Sequence, residues 1–288
     1  MSTIVITGAN TGIGAAGAIQ LAEPGAHLVL ACRSEERTAP VLEAVKAKGA
    51  TASFLKLELD DLAQATKAAR AFASKHDTID LLVNNAGLAG KRGLTKDGFE
   101  ITWGVNHLGH FAFTLPLLPL VERARGRIVN VSSGNHYKAS GIDWALLRKS
   151  TESVTGLPEY AVSKLSNVLF TAELRRRARH LTSVSMNPGS IASDIWRQIP
   201  WPFRSILPAL LRMGSNEVGG ARVVHTCRVP LEGPSAPIYF DKLTPRDPNP
   251  LAWDAGLAKE LWRFSEEAVA NVVGTSTANA SAHHGATA

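Results

Sequence analysis

The chain has 288 residues, 45% of them hydrophobic, with 31 Lys and Arg against 25 Asp and Glu and a net charge of +6. That is enough chain to bury a sizeable core in one α/β domain. Two distant cysteines, Cys32 and Cys227, exclude a disulfide framework, the nine histidines form no HxxxH or HExxH ligand set, and no apolar run approaches the ~20 residues of a membrane-spanning helix. A reducing compartment and a cytoplasmic location are expected, with no metal site and no secretory leader ahead of the strand-forming residues at Thr3.

Thr3-Ile4-Val5-Ile6-Thr7 is a short β-branched run that reads as a buried parallel strand. It enters Gly8-Ala9-Asn10-Thr11-Gly12-Ile13-Gly14 and then the helix-prone AAGAIQLAE. A strand, a glycine turn and a helix in that order make a phosphate cradle. Gly8 permits the tight turn, Gly12 lets backbone approach a pyrophosphate, Gly14 allows close helix–strand packing, and the helix N-terminus faces the anion. The next strand, Ala26 to Ala31, ends in Cys32-Arg33-Ser34. In dinucleotide folds an acid at this point holds the adenosine ribose 2′-OH, whereas an Arg accommodates a 2′-phosphate. No acid stands at positions 31 to 34, so Arg33 reads as a phosphate ligand with Ser34 as helper, and NADP(H) is favoured over NAD(H).

Strand-like and helix-like segments alternate from Thr3 to Ala270, which predicts a doubly wound parallel sheet. Later in the chain, Tyr160 and Lys164 stand four residues apart in EYAVSKLSNVLF, on one face of a predicted helix. A nearby ammonium favours phenolate, so Lys164 is expected to pull the Tyr160 pKa down towards the range where a phenol trades protons near neutral pH. Taken alone, the pair is also what a surface helix with a solvated lysine would show.

Together these features resemble the short-chain dehydrogenase/reductase family, over nearly the whole chain from about Thr3 to about Ala270. TGANTGIG is similar to the family's TGxxxGIG loop, which implies that Gly8, Asn10, Thr11, Gly12, Ile13 and Gly14 bind cofactor. Asn84-Asn85-Ala86-Gly87 resembles NNAG, so Asn85, Ala86 and Gly87 join that set. Asp60 matches the acid that meets adenine, Pro188-Gly189 the turn beside the nicotinamide, and Ser193 the hydroxyl on its carboxamide. The resemblance implies a catalytic group of Asn106, Ser133, Tyr160 and Lys164. Tyr160 would exchange the proton, Ser133 would hold the substrate oxygen, Lys164 would bind the nicotinamide ribose, and Asn106 would hold a water in the proton relay. Ser132 beside Ser133 is a competitor, since strand alternation turns only one inward. The implied fold is a single-domain, Rossmann-like α/β sheet flanked by helices.

LVLACRSEER, YAVSKLSNVLFTAELRRR and IYFDKLTPRDPNPLAWDAGLAKELWRFSEE resemble the retinol-dehydrogenase-like branch. That likeness implies NADP(H)-dependent interconversion of a lipophilic alcohol with an aldehyde or ketone. Two other readings stay open: a non-catalytic NADP(H)-binding sensor or scaffold, and a C=C reductase of the same fold. Two segments are expected to face the substrate. One lies between Ser133 and Tyr160, with Tyr137, Trp144, Leu146, Leu147 and Leu157. The other, 194–213, reads as a lid, a subunit interface, or a helix in peripheral contact with a membrane. The resemblance also implies a homodimer or homotetramer through long helices at about Asp97–Glu122 and Pro158–Arg179. The run Arg175-Arg176-Arg177-Ala178-Arg179-His180 is expected to complement a helix C-terminus rather than bind nucleic acid. The tail 271–288, small and polar, is expected to be disordered.

Overall fold

The computed structural model describes residues 2–178, 180–191, 214–231, 233 and 236–284, with 275–284 described by backbone alone. Ser193 and the 194–213 segment lie outside the described residues. The first half of the chain alternates strictly: β1 (Ser2–Thr7), α1 (Gly12–Leu21), β2 (Ala26–Cys32), α2 (Glu35–Lys46), β3 (Thr51–Lys56), α3 (Leu62–Ala73) and β4 (Leu81–Asn84). A broken helix follows. Helix α4 (Ile101–Trp103) passes into a π-helical turn at Gly104–Leu108, then α5 (Gly109–Thr114), a 3₁₀ turn at Leu115–Leu117 and α6 (Leu118–Arg123). The remainder is β5 (Arg127–Val131), α7 (Leu157–Arg177), β6 (Thr182–Asn187), α8 (Asn216–Arg228), β7 (Tyr239–Asp241), β8 (Thr244–Pro245) and α9 (Ala255–His284).

The eight strands form one sheet in the order β3-β2-β1-β4-β5-β6-β7-β8, parallel except for the last pair. The order in which strands are added reverses between the parallel neighbours β1 and β4, and the crevice at the carboxyl ends of those strands is where such folds bind ligands. Strand residues alternate between two cores. Val5, Val29, Leu82 and Ile128 face the layer of α3, α5, α7 and α9, whereas Ile4, Ile6, Leu28, Val83 and Val129 face the layer of α1, α2 and α8. Burial on both faces explains why these strands read as continuous β-branched runs rather than alternating ones. Each large apolar side chain buried this way contributes ~1.5–3 kcal/mol.

Helix α7 starts after Gly156, whose φ of 65° suits glycine, and Pro158 stands in its first turn. Its arginine run is absorbed by the fold. Arg175 donates to the carbonyls of Ser183, Ala236 and Pro237 at 2.6, 2.6 and 2.7 Å, while Arg176 and Arg177 both pair with the buried Glu173 at 2.7 Å. The 271–288 tail, expected to be disordered, follows on from α9, whose backbone runs to His284. This helix also occupies a face of the long helices named above for self-association. Trp262 packs on Phe111 and Phe170 with ring centroids 5.0 and 5.8 Å away, and Ser265 Oγ meets His107 Nε2 at 3.1 Å. Among the described residues no helix is long and apolar enough to cross a membrane, and no cluster of His, Cys, Asp and Glu could hold a metal ion.

Candidate active site

The cofactor wall is built from backbone. Gly8 has φ 65°, and a Cβ there would lie 2.8 Å from the Ala86 Cα; Gly12 has φ 59°. A Cβ on Gly14 would strike the Gly8 carbonyl oxygen and the Asn85 amide. Thr7 Oγ1 accepts from the backbone N–H groups of Asn85 and Ala86 at 2.9 and 3.0 Å, and Asn85 Nδ2 donates to the Thr7 carbonyl at 2.9 Å. The end of β1 and the loop after β4 are thereby stitched into one surface, made of groups a side chain would block.

That surface floors a cleft of about 750 Å³, within the usual ~300–1,000 Å³ of a ligand site. Gly8, the run Asn10–Gly14, Arg33 with Ser34, Asp60, the run Asn85–Gly87, and Pro188 with Gly189 all line it. The cradle and the length of the cleft, from Arg33 to Tyr160, fit an extended dinucleotide. Arg37 also lines the cleft and was not singled out from sequence; it sits in the first turn of α2, whereas Arg33 precedes the helix, so no sequence period links the two. Ser34 Oγ accepts from the Arg37 N–H at 3.3 Å and so caps α2, which gives it a structural task beside Arg33. Gly189 has φ 86°, and a Cβ there would lie 2.6 Å from Arg222 Nη1.

The opposite wall is built from side chains. Ser132 is buried and its hydroxyl donates to the Lys164 carbonyl at 2.8 Å, so Ser132 ties β5 to α7. Ser133 faces the cleft at the head of a 3₁₀ turn, Gly134–Lys138, and its hydroxyl interacts with the Tyr160 phenol. Lys164 is 2% exposed; its Nζ donates to the Val131 carbonyl at 3.0 Å and lies 5.6 Å from the Tyr160 ring centroid. Asn106 sits within the π turn, fully buried. Its Nδ2 donates to the Leu88 carbonyl and Ser163 Oγ at 2.9 and 3.0 Å, and its Oδ1 accepts from the Leu88 N–H at 2.9 Å. Ser163 Oγ in turn donates to the Tyr160 carbonyl at 2.8 Å. The Asn106 carbonyl accepts from His110 Nδ1 at 3.0 Å. Asn106 thus holds the loop after β4 against the helix of Tyr160.

Burial decides the protonation of this wall. Desolvation pushes the Tyr160 phenol up to about 12, only partly opposed by the hydrogen bond with Ser133. Desolvation also brings the Lys164 ammonium down to about 7. The expected lowering of the Tyr160 pKa by Lys164 is therefore overridden, and the phenol keeps its proton at neutral pH. Of the apolar residues expected to face substrate between Ser133 and Tyr160, Tyr137, Leu146 and Leu157 are exposed and two go elsewhere. Leu147 is buried in the core and Trp144 stacks on Phe264 at 5.2 Å. The cleft there is lined by Gly134, Asn135 and Lys138 instead.

A parallel sheet with this cradle, and with a phenol, a hydroxyl and a buried lysine beside it, defines the class of nicotinamide-dependent oxidoreductases. A family model described as short chain dehydrogenase matches residues 2–146. Retinol dehydrogenase 13 of Homo sapiens is 33% identical over 281 residues, covering 93% of this chain and 84% of that one. The WW domain-containing oxidoreductase of Homo sapiens is 34% identical over 289 residues, covering 94% and 69%. A crystal structure of an uncharacterised protein from Mycobacterium paratuberculosis matches with TM-score 0.72 and 31% identity over 93% of each chain. The fold also matches an alcohol dehydrogenase from the archaeon Thermococcus sibiricus, with TM-score 0.64 and 20% identity over 86% of this chain and 99% of that one. The chain belongs to the short-chain dehydrogenase family, in its retinol-dehydrogenase-like branch, and is an oxidoreductase of alcohols and carbonyls that uses a nicotinamide cofactor.

Proposed function

We propose that this protein interconverts a lipophilic alcohol with its aldehyde or ketone using NADP(H), with Tyr160 as the general acid and base. The observation that carries the reading is the meeting of the Ser133 hydroxyl and a protonated Tyr160 phenol on one cleft wall, opposite the phosphate cradle. Two hydroxyl donors side by side on one wall suit a carbonyl oxygen that gains negative charge as the reaction proceeds. Nicotinamide, when bound, supplies or accepts the hydride. Everything else falls to the chain. Ser133 donates to the substrate oxygen and holds it. Tyr160 gives that oxygen its proton in reduction and takes it back in oxidation. Lys164 fixes the cofactor ribose and helps restore the Tyr160 proton. Arg33 and Arg37, exposed at one end of the cleft, supply paired charge for a 2′-phosphate. A lipophilic substrate is supported by the likeness to a retinol dehydrogenase.

The test is oxidation of NADPH and of NADH with a panel of aldehydes and ketones from small to long-chain and polycyclic, with Tyr160→Phe as control. Turnover with NADPH that rises with substrate apolarity and collapses in Tyr160→Phe is the expected result. NADPH binding without turnover across the panel would return the chain to the sensor reading.

A further inference from the structure

The turn that carries Ser133 is held by more than its own neighbours, although the Asn135 N–H donates to Ser133 Oγ at 3.2 Å and the His136 N–H to the Ser133 carbonyl at 3.1 Å. His136, fully buried within that turn, donates from Nδ1 to the Ser133 carbonyl at 2.7 Å. Its Nε2 accepts from the Asn249 backbone N–H at 3.1 Å, 113 residues further along the chain. A carbonyl only accepts and an N–H only donates, so both contacts together require the neutral ring with its proton on Nδ1. Asn249, 5% exposed, closes the joint from the other side: its Nδ2 donates to the carbonyls of His136 and Ala139 at 3.0 and 2.9 Å. Tyr137 adds a bond from its hydroxyl to the Asp247 carbonyl at 2.6 Å.

The same stretch of chain holds the other side of the cleft. Asp241 Oδ1 accepts from Asn187 Nδ2 at 2.8 Å, and the Asn187 carbonyl accepts from the Lys242 N–H at 2.8 Å. Asn187 Oδ1 accepts from the Gly189 N–H at 3.0 Å, which sets the Pro188-Gly189 turn. The Ser133 turn and the Pro188-Gly189 turn therefore hang from one strap, running from β7 through β8 to the 3₁₀ turn at Pro250–Trp253.

We propose that Tyr239–Trp253 is a positioning strap for the active site, and that His136, held between Ser133 and Asn249, is the positioning residue through which it aims the Ser133 hydroxyl. This rests on the oxidoreductase reading above, in which Ser133 touches the substrate oxygen. A proton on Nε2 would set N–H against the Asn249 N–H and release the joint. The groups facing the ring keep it neutral or charge it: Tyr239 and Asp241 from β7, Arg246 beyond β8, and Tyr137 on its own turn. Burial is the dominant influence and holds the His136 pKa below its ordinary value.

The experiment is a double-mutant cycle on the full chain with NADPH and a ketone or aldehyde that the wild type reduces. His136→Phe removes both ring contacts and is expected to lower kcat about tenfold, while KM for NADPH stays within about twofold. In a Ser133→Ala background the same change is expected to cost less than about twofold, because a residue acting through Ser133 has nothing left to act on. His136→Asn, which keeps a donor near the Nδ1 position but loses the acceptor for the Asn249 N–H, is expected to lower kcat nearly as far and serves in place of His136→Phe should that variant not fold. Equal losses in both backgrounds, or none in the wild type, would overturn the strap assignment while leaving the oxidoreductase reading standing. A wild type without turnover on any carbonyl would overturn that reading, and this one with it.

Discussion

The cofactor wall of the cleft joins short motifs through backbone, whereas the substrate wall joins single side chains from across the sequence. In the first, Gly8, Gly12 and Gly14 work by what they lack, and Thr7 reaches Asn85 and Ala86 over one strand pairing. In the second, Ser133 depends on His136, which depends on Asn249, and Tyr137 reaches Asp247 over 110 residues. A backbone wall tolerates little change at any glycine but asks nothing of distant segments. A side-chain wall tolerates change at each joint and fails by degrees.

Breaking one wall at a time sharpens the contrast. Tyr160→Phe should lower kcat by about 10²–10⁴-fold, the usual worth of a positioned acid, with NADPH affinity retained. Fluorescence titration of NADPH beside steady-state kinetics reads the two quantities separately. Gly14→Ala should do the reverse. Its new methyl would strike the Gly8 carbonyl and the Asn85 amide, both fixed by the stitching of β1 to the loop after β4. NADPH affinity should fall by about two orders of magnitude, and the fold should lose ~1–3 kcal/mol from overpacking. A Gly14→Ala protein with unchanged Kd for NADPH would contradict the cradle.

These two variants also mark how much was legible in the sequence. Glycine spacing after a β-branched strand betrays a backbone cradle because only glycine meets the steric demand, and all the predicted cofactor residues within the described part of the chain line the cleft. Tyr160 and Lys164 were legible because one helical turn sets them side by side. Their protonation was not, because it is decided by burial: the ammonium that should depress the phenol is itself pushed down to about 7. The choice between Ser132 and Ser133 needed the Lys164 carbonyl, which only the packed helix brings near. His136 carried no signal, since its partner lies far along the chain and no local period links them. Arg37 carried no periodic signal either, because Arg33 precedes the α2 N-cap and only the start of that helix brings the two to one end of the cleft.

Arg33 and Arg37 give the next smaller effect. Each exposed guanidinium that meets a phosphate is worth ~1.5–3 kcal/mol as a charge-assisted hydrogen bond. Arg33→Ala should therefore weaken NADPH about 10–100-fold and leave NADH nearly unchanged, with Arg37→Ala following at the lower end. Equal losses for both cofactors would refute the phosphate assignment and turn these arginines into ordinary surface charge.

The smallest effect concerns the place where the two walls touch. His110 donates from Nδ1 to the Asn106 carbonyl and accepts at Nε2 from Thr7 Oγ1 at 2.8 Å, so it joins the π turn to the end of β1 as a neutral ring. Burial brings its pKa down to about 4, and that of the neighbouring His107 to about 3. Both rings bind a proton near pH 6.5 once unfolded. Between about pH 4 and 6.5 the unfolded chain then holds more protons than the folded one, so stability rises with pH through that window. The contribution is complete above about 6.5 and lost as pH falls towards the folded values. Urea midpoints measured at pH 7.5, 6 and 5 should fall in that order, and the slope should flatten in His110→Gln, which removes one of the two titrating rings. A slope untouched by that change would place the acid sensitivity elsewhere and leave the two walls joined by packing alone.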